Sequence, residues 1–182
     1  MNYPIFKYHP NAYDLDIFIK EQGVCDVCGK PSELKYDCSF YSAEELDYIC
    51  PFCISDGSAS NKYGGQFNNY LSIETVEILE TEEAFLPKNP NKLFDEIAYR
   101  TPSYHSWQQQ YWLTHCNEPC AFISYADVDT IRPLLDELIE DIENSGYPAE
   151  MIRNELGRDS ELAGYLFQCV KCGKYRLYVD AS

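Results

Sequence analysis

An α+β fold organised as two cysteine-anchored modules is predicted by three observations. Eight of the nine cysteines fall in close pairs, Cys25/Cys28, Cys50/Cys53, Cys116/Cys120 and Cys169/Cys172, with Cys38 alone. Apolar residues recur at three- and four-residue intervals beyond Asp127, while short strand-like runs such as AFISYA and GYLFQC lie beside the later cysteine pairs. A composition 45% hydrophobic, with 16 Tyr, 9 Phe and 2 Trp, is that of a chain with a packed core.

At 182 residues the chain is one domain or two small ones. Its formal charge of −16 repels nucleic acid, whose binding draws on neutralised phosphates, and it lacks the basic stripe that anionic membrane surfaces attract. The opening MNYPIFKYHPNAYDLDIF has no basic stretch followed by an apolar core, so no signal peptide is expected. No apolar run approaches the ~20 residues of a membrane span. A soluble, cytoplasmic protein is therefore expected. In a reducing compartment, thiolates hold metals in preference to forming disulfides, and an odd cysteine count does not close a disulfide framework.

Three of the pairs are Cys-x-x-Cys and one is Cys-x-x-x-Cys. At that spacing one short turn presents two sulfurs to the same ion, and four such pairs predict two tetrahedral four-cysteine zinc sites. Cys25, Cys28, Cys50 and Cys53 form the first, with 21 residues between the pairs. Cys116, Cys120, Cys169 and Cys172 form the second, with 48 residues between the pairs. His115 is the obvious substitute ligand there. Adjacent residues seldom both reach one ion, however, so His115 is expected to pack or to bond a ligand sulfur. A buried, reduced thiol suits Cys38. Redox Cys-x-x-Cys chemistry calls for a βαβ setting that Cys25 and Cys169 lack.

Taken in order, residues 1–24 read as an aromatic lead-in, with a short helix or strand from Leu15 to Lys20. The CDVCGK knuckle follows, then a hairpin within 33–49. CPFC then opens a short helix in SDGSASNKYGG. Knuckle, hairpin and a cysteine pair at a helix start are the layout of a treble clef. Residues 74–83 are expected to connect with some helix, and Pro87 and Pro90 to bracket a turn. A seam at 84–91 separates modules 1–86 and 87–182. A helix is predicted over 91–100, and another through the glutamines of SYHSWQQQYWLTHC. A strand over 121–126 precedes a helical insertion, 127–157. Its first helix, at about 130–144, tolerates Pro133 only if it starts nearby, capped by Asp129 or Thr130; a second runs over 148–156. GYLFQC, VKCG and KYRLYVD close the chain as a zinc-ribbon hairpin.

The only histidines are His9, His105 and His115. A catalytic zinc keeps a position open to water, whereas four-cysteine sites are closed. The enzymatic alternative uses His115, Cys116, Cys169 and Cys172 with Glu118 as base. Asp56, His105 and Trp107 lie in loops that suit partner contacts, with plainer roles as cap, turn and core. The acidic helix is a solvated face or a surface for a basic partner. GSASNKYGG lacks the Gly-Lys-Ser/Thr ending of a phosphate-binding loop.

FKYHPN, CDVCGK, CPFCISDGSA, RTPSYHSWQQQYWLTHC and GYLFQCVKCGKYRL, in this order, resemble the bacterial CbrC family. These are small uncharacterised proteins whose name is tied to colicin tolerance. The resemblance implies a bacterial cytoplasmic protein with zinc ligands at Cys25, Cys28, Cys50, Cys53, Cys116, Cys169 and Cys172. It fixes no residue type at the position of Cys120, so that His115 or a solvent oxygen stands as the alternative fourth donor. It supplies no reaction or substrate. The expected function is that of a non-enzymatic interaction or regulatory protein with two structural zinc ions and a protein partner, in colicin tolerance or envelope stress. A zinc enzyme with an open second site near His115 is the alternative.

Overall fold

The computed structural model describes residues 2–80, 85–88, 90–157 and 160–181. It forms mixed helix and sheet in two units, Met1–His105 and Ser106–Ser182.

In the first unit, Phe18–Val24 (β1) and Pro31–Tyr36 (β2) pair antiparallel on either side of the CDVCGK knuckle, Phe18 opposite Tyr36 and Val24 opposite Pro31. The hairpin expected within 33–49 therefore lies earlier: β2 pairs backward across the knuckle. Tyr48 is the physical reason. Its ring lies where a Cβ on Gly23 would stand, and its hydroxyl donates to the carbonyls of Glu21 (2.6 Å) and Ser32 (3.1 Å). The Asp26 carboxylate accepts from the amides of Asp47 (2.9 Å) and Tyr48 (2.8 Å), so the segment before Cys50 is clamped to the hairpin and does not pair as a strand of its own.

Cys50 caps the helix Pro51–Ser55 (α1), whose first residue is a proline with no N–H to leave unpaired. A second short helix, Ser58–Tyr63 (α2), occupies the polar, glycine-ended stretch as predicted, and Gly64 ends it in the left-handed region (φ 63°). Ile78–Glu80 (β3), within the stretch expected to connect with some helix, pairs antiparallel with Phe85–Pro87 (β4). The parts of the sequence reading that fall on residues 81–84 and 89 lie outside the described residues.

Asn91 caps the helix Lys92–Arg100 (α3) by accepting from the Leu93 amide, and Phe94, Ile97 and Ala98 are buried. Asn68 donates to the carbonyls of Ile97 (2.8 Å) and Thr101 (2.9 Å), and the Phe67 amide donates to Ala98 (2.8 Å). These bonds hold α3 to the first unit. The boundary accordingly falls after His105, later than the proline- and asparagine-rich seam at 84–91. His9 is buried in this unit, where its Nδ1–H donates to the Pro102 carbonyl at 2.9 Å.

The second unit opens with a small hairpin, Thr114–His115 (β5) and Glu118–Pro119 (β6). Ala121–Ala126 (β7), Leu162–Gln168 (β8) and Tyr175–Ala181 (β9) form an antiparallel sheet in that order, which matches the predicted strand and terminal strand–turn–strand. Between β7 and β8 come Val128–Ile131 (α4), a tighter turn at Arg132–Leu134, Ile139–Asn144 (α5) and Ala149–Glu155 (α6). Ile131, Leu138, Ile142, Ile152 and Leu156 form one apolar cluster with Leu162, Leu166, Leu177 and Val179 of the sheet. The single helix expected at about 130–144 is two. Asp127 caps the first by accepting from the Thr130 amide (2.8 Å), and the turn containing Pro133 interrupts the α-helical ladder.

The helix expected through the glutamines does not form. The Trp107 amide donates to the Tyr165 hydroxyl (3.2 Å) and the Gln108 amide to Asp180 (3.2 Å), so these donors serve side chains. Trp112 is buried, with its Nε1–H bonded to the Cys120 carbonyl (2.8 Å).

A largely buried ion pair joins α5 to the sheet. Arg176 Nε lies 2.9 Å from both Asp141 oxygens, and its Nη1 donates to the Thr114 carbonyl at 2.6 Å. Asp141 also accepts from the Leu177 amide at 2.9 Å. Removing one partner strands the other charge, so Asp141→Ala is predicted to cost about 3–5 kcal/mol. Paired apolar replacement of Asp141 and Arg176 should cost less than either single change. Urea unfolding of the singles and the double checks both, and a cost for Asp141→Ala below about 1 kcal/mol contradicts the assignment.

Burial holds the His9 pKa down to about 4, the hydrogen bond to Pro102 opposing that shift. An unfolded imidazole titrates near about 6.5, so as pH falls the unfolded chain takes up its proton first. His9 is therefore predicted to contribute stability that is present above about pH 6.5 and lost toward about pH 4, up to about 3 kcal/mol in all. Subtracting the pH–stability curve of His9→Gln from that of the parent isolates this contribution; parallel curves contradict it.

Candidate metal centres

Each cluster contains a knuckle of the same local build. At the first, Cys25 N–H donates to Lys30 (3.0 Å) and Gly29 N–H to Cys25 (2.8 Å). At the second, Cys169 N–H donates to Lys174 (2.8 Å) and Gly173 N–H to Cys169 (2.9 Å). Gly29 (φ 68°) and Gly173 (φ 78°) sit in the left-handed region that lets the turn close. Lys62 Nζ and the Tyr63 hydroxyl, from the end of α2, donate to the knuckle carbonyls of Val27 (2.9 Å) and Asp26 (3.0 Å).

Cys25, Cys28, Cys50 and Cys53 converge, their sulfurs all within 4.8 Å of one another. Cys25 Sγ is 3.8 Å from Cys53 Sγ, and Cys50 Sγ is 3.6 Å from Cys53 Sγ. A tetrahedron of sulfurs about 2.3 Å from zinc has edges of about 3.8 Å. Cys25, Cys50 and Cys53 are buried and Cys28 is exposed. Hydrogen bonding from Cys50, opposed by burial, holds the Cys25 thiol down to about 4, while donation to Cys25 and burial push Cys50 up. Burial pushes Cys53 up to about 12. Without a cation, then, one thiolate is sheltered by protonated neighbours. Four thiolates at this spacing need a positive ion.

At the second cluster the converging donors are His115, Cys116, Cys169 and Cys172, again within 4.8 Å of one another. Cys116 Sγ and Cys172 Sγ are 3.8 Å apart, and His115 Nδ1 is 3.3 Å from each. Cys169 is buried, while Cys116 and Cys172 are exposed. Hydrogen bonding with Cys172 pushes the Cys116 thiol up to about 11. Burial acts to raise the Cys169 thiol, but the amides of Cys172 and Lys171 outweigh it and hold it down to about 6.

Cys120, predicted as a ligand, lies outside this group. It is fully buried, and its amide donates to the Leu113 carbonyl (2.9 Å). His115 stands in the cluster instead. The objection that adjacent side chains diverge holds for extended backbone, and here the backbone is not extended. Cys116 (φ 53°) and Asn117 (φ 56°) are both left-handed, forming the two-residue turn between β5 and β6. The signal was in the sequence: Asn117 after Cys116 marks such a turn, which places His115 on its shoulder.

The other sequence candidates lie outside both clusters. Cys38 Sγ is 3.4 Å from His105 Nδ1, and burial pushes its thiol up. Asp56 accepts from the Ser58 amide (2.8 Å), and Trp107 is exposed. Glu118 is buried with its carboxylate 3.3 Å from Lys171 Nζ, which also donates to the Cys116 carbonyl (3.0 Å).

Two four-donor Cys/His clusters on small sheets define a mixed α/β protein with two places able to hold a metal ion. Residues 3–181 match the family described as "Uncharacterised protein family (UPF0167)", and the chain belongs to that family. It is similar to the UPF0167 protein PA1536 of Pseudomonas aeruginosa, 31% identical over 183 residues that cover 97% of this chain and 96% of the relative. It is also similar to the UPF0167 protein Mb2317 of Mycobacterium bovis, 28% identical over 184 residues that cover 97% and 92%. No solved structure matches significantly.

The geometry predicts how metal content responds to substitution. His115→Ala should lose the second ion, and Cys120→Ala should retain it. Native mass spectrometry of both variants decides the matter; the opposite pattern would restore Cys120 as the ligand.

Proposed function

We propose that both clusters hold structural zinc, and that the protein is a non-enzymatic interaction or regulatory protein. Its first unit is treble-clef-like. Its second is zinc-ribbon-like, interrupted by the helical insertion 127–157. The observation that carries this reading is the donor spacing: sulfur–sulfur distances of 3.6–3.8 Å in both clusters suit a tetrahedron around one ion. Thiolate-rich, tetrahedral donor sets suit zinc. Four protein donors at each cluster fill a tetrahedral shell and leave no place for a reactive water. Glu118, the base of the enzymatic alternative, is engaged by Lys171.

A formal charge of −16 favours a protein partner with basic character over nucleic acid. Among the described residues, no helix is long and apolar enough to cross a membrane. The CbrC resemblance supports a setting in the bacterial cytoplasm and a part in colicin tolerance or envelope stress.

Structural zinc contributes roughly 10–16 kcal/mol in small peptides, comparable with the whole net stability of a domain, about 5–15 kcal/mol. Native mass spectrometry should find two zinc ions per chain, and removing them with a strong chelator should unfold at least one unit. A metal-free chain with an unchanged circular dichroism spectrum sinks the structural role. A hydrolytic or transfer activity abolished by substituting His105 or His115, with folding intact, would replace it with the enzymatic reading.

A further inference from the structure

The two clusters differ in what solvent reaches. In the first, Cys28 alone is exposed, and Cys25, Cys50 and Cys53 are 0%, 4% and 2% exposed. In the second, two sulfurs are exposed together, Cys116 on the β5–β6 turn and Cys172 at the end of the knuckle, 3.8 Å apart. Only Cys169 is buried there, at 3% exposure. Thiol oxidation requires thiolate character and access, and its reversible outcome requires a second thiol in reach. The second cluster offers access and a second thiol in reach at one pair, and a bound dication would supply the thiolate character. In the first, any partner for Cys28 is buried.

We propose that Cys116 and Cys172 form an oxidative modification site, converted by hydrogen peroxide to a disulfide with loss of the second ion. The inference rests on the zinc reading above. The Cys116 thiolate attacks one peroxide oxygen; the O–O bond breaks, hydroxide leaves, and Cys116 becomes a sulfenic acid. The Cys172 thiolate then attacks that sulfur, forming the S–S bond and expelling a second hydroxide. Two protons convert both hydroxides to water. The pair has lost two electrons and peroxide has gained them. His115 and Cys169, left as the only donors, no longer retain the ion. An added dithiol reverses the change by taking up the disulfide, so zinc can return.

The test starts from full-length protein purified under reducing conditions, with zinc counted by native mass spectrometry and the reductant then removed. Hydrogen peroxide is added beside a chromogenic zinc chelator, with a peroxide-free control. One zinc per chain should be released at least about tenfold faster than the other, with two thiols lost. Trypsin, which does not cut the Arg132–Pro133 bond, separates the cysteines usefully: Cys116 falls in residues 101–153, Cys169 in 159–171 and Cys172 in 172–174. The linked pair 101–153/172–174 is expected, fragmenting to a Cys116–Cys172 bond, with Cys25, Cys28, Cys50 and Cys53 still alkylatable. Release of both ions at one rate, release of none, or a bond to Cys169 or Cys120 overturns the proposal while leaving the zinc reading intact. A chain that carries no zinc before peroxide overturns both.

Discussion

The crowding of four donor atoms within 4.8 Å at each cluster is the constraint around which both units are arranged. Thiols about 3.8 Å apart cannot all ionise without a cation between them. Hydrogen bonding from Cys50 holds Cys25 low, donation to Cys25 and burial push Cys50 up, and burial pushes Cys53 up, so one thiolate stands among protonated neighbours. A dication turns the same crowding into a cross-link. The sheets joined at these points are small: β1–β2 and β5–β6 are two-stranded, and an isolated two-stranded hairpin is marginal in water. Each needs a second anchor, and each finds it where its cysteines meet those of a distant segment.

The units differ in how much else holds them. In the second, a three-stranded sheet carries α4, α5 and α6 on an aliphatic cluster, and Arg176 ties the strand after the knuckle to α5 and to β5. The donor cluster of His115, Cys116, Cys169 and Cys172 has two exposed members, Cys116 and Cys172. In the first, aromatic rings from the lead-in and the hairpin pack in series, Phe6 with Phe18 and Phe18 with Tyr36. Three of the four cysteines, Cys25, Cys50 and Cys53, lie within the buried set.

Much of this was legible from local chemistry. Cys-x-x-Cys-Gly spacing marks both knuckles because only a left-handed residue closes the turn. Asn91 marks the start of α3, and the aliphatic spacing beyond Asp127 marks the helices that cover the sheet. What escaped depended on distant partners. Tyr48 clamps β1 to β2 from a loop, so the reading of Leu15 to Lys20 as a short helix or strand does not reach the whole of β1 or its pairing with β2. Amides near Trp107 bond to Tyr165 and Asp180, tens of residues away, which no local propensity of a glutamine run discloses. His115 is brought to the cluster for a different reason: the left-handed Cys116 and Asn117 break the alternation of side chains that extended backbone would impose.

The two knuckles, CDVCGK and CVKCGK, share a backbone but not their intervening pair. In the first, Asp26 receives the amides of Asp47 and Tyr48 and so draws in the approach to Cys50. In the second, Lys171 grips the carbonyl of Cys116 and the carboxylate of Glu118 and so draws in the turn that bears His115. One mould therefore takes two grips of opposite charge. The cysteines and glycine set the shape, and the two residues between the cysteines act as an address that specifies which remote segment docks there.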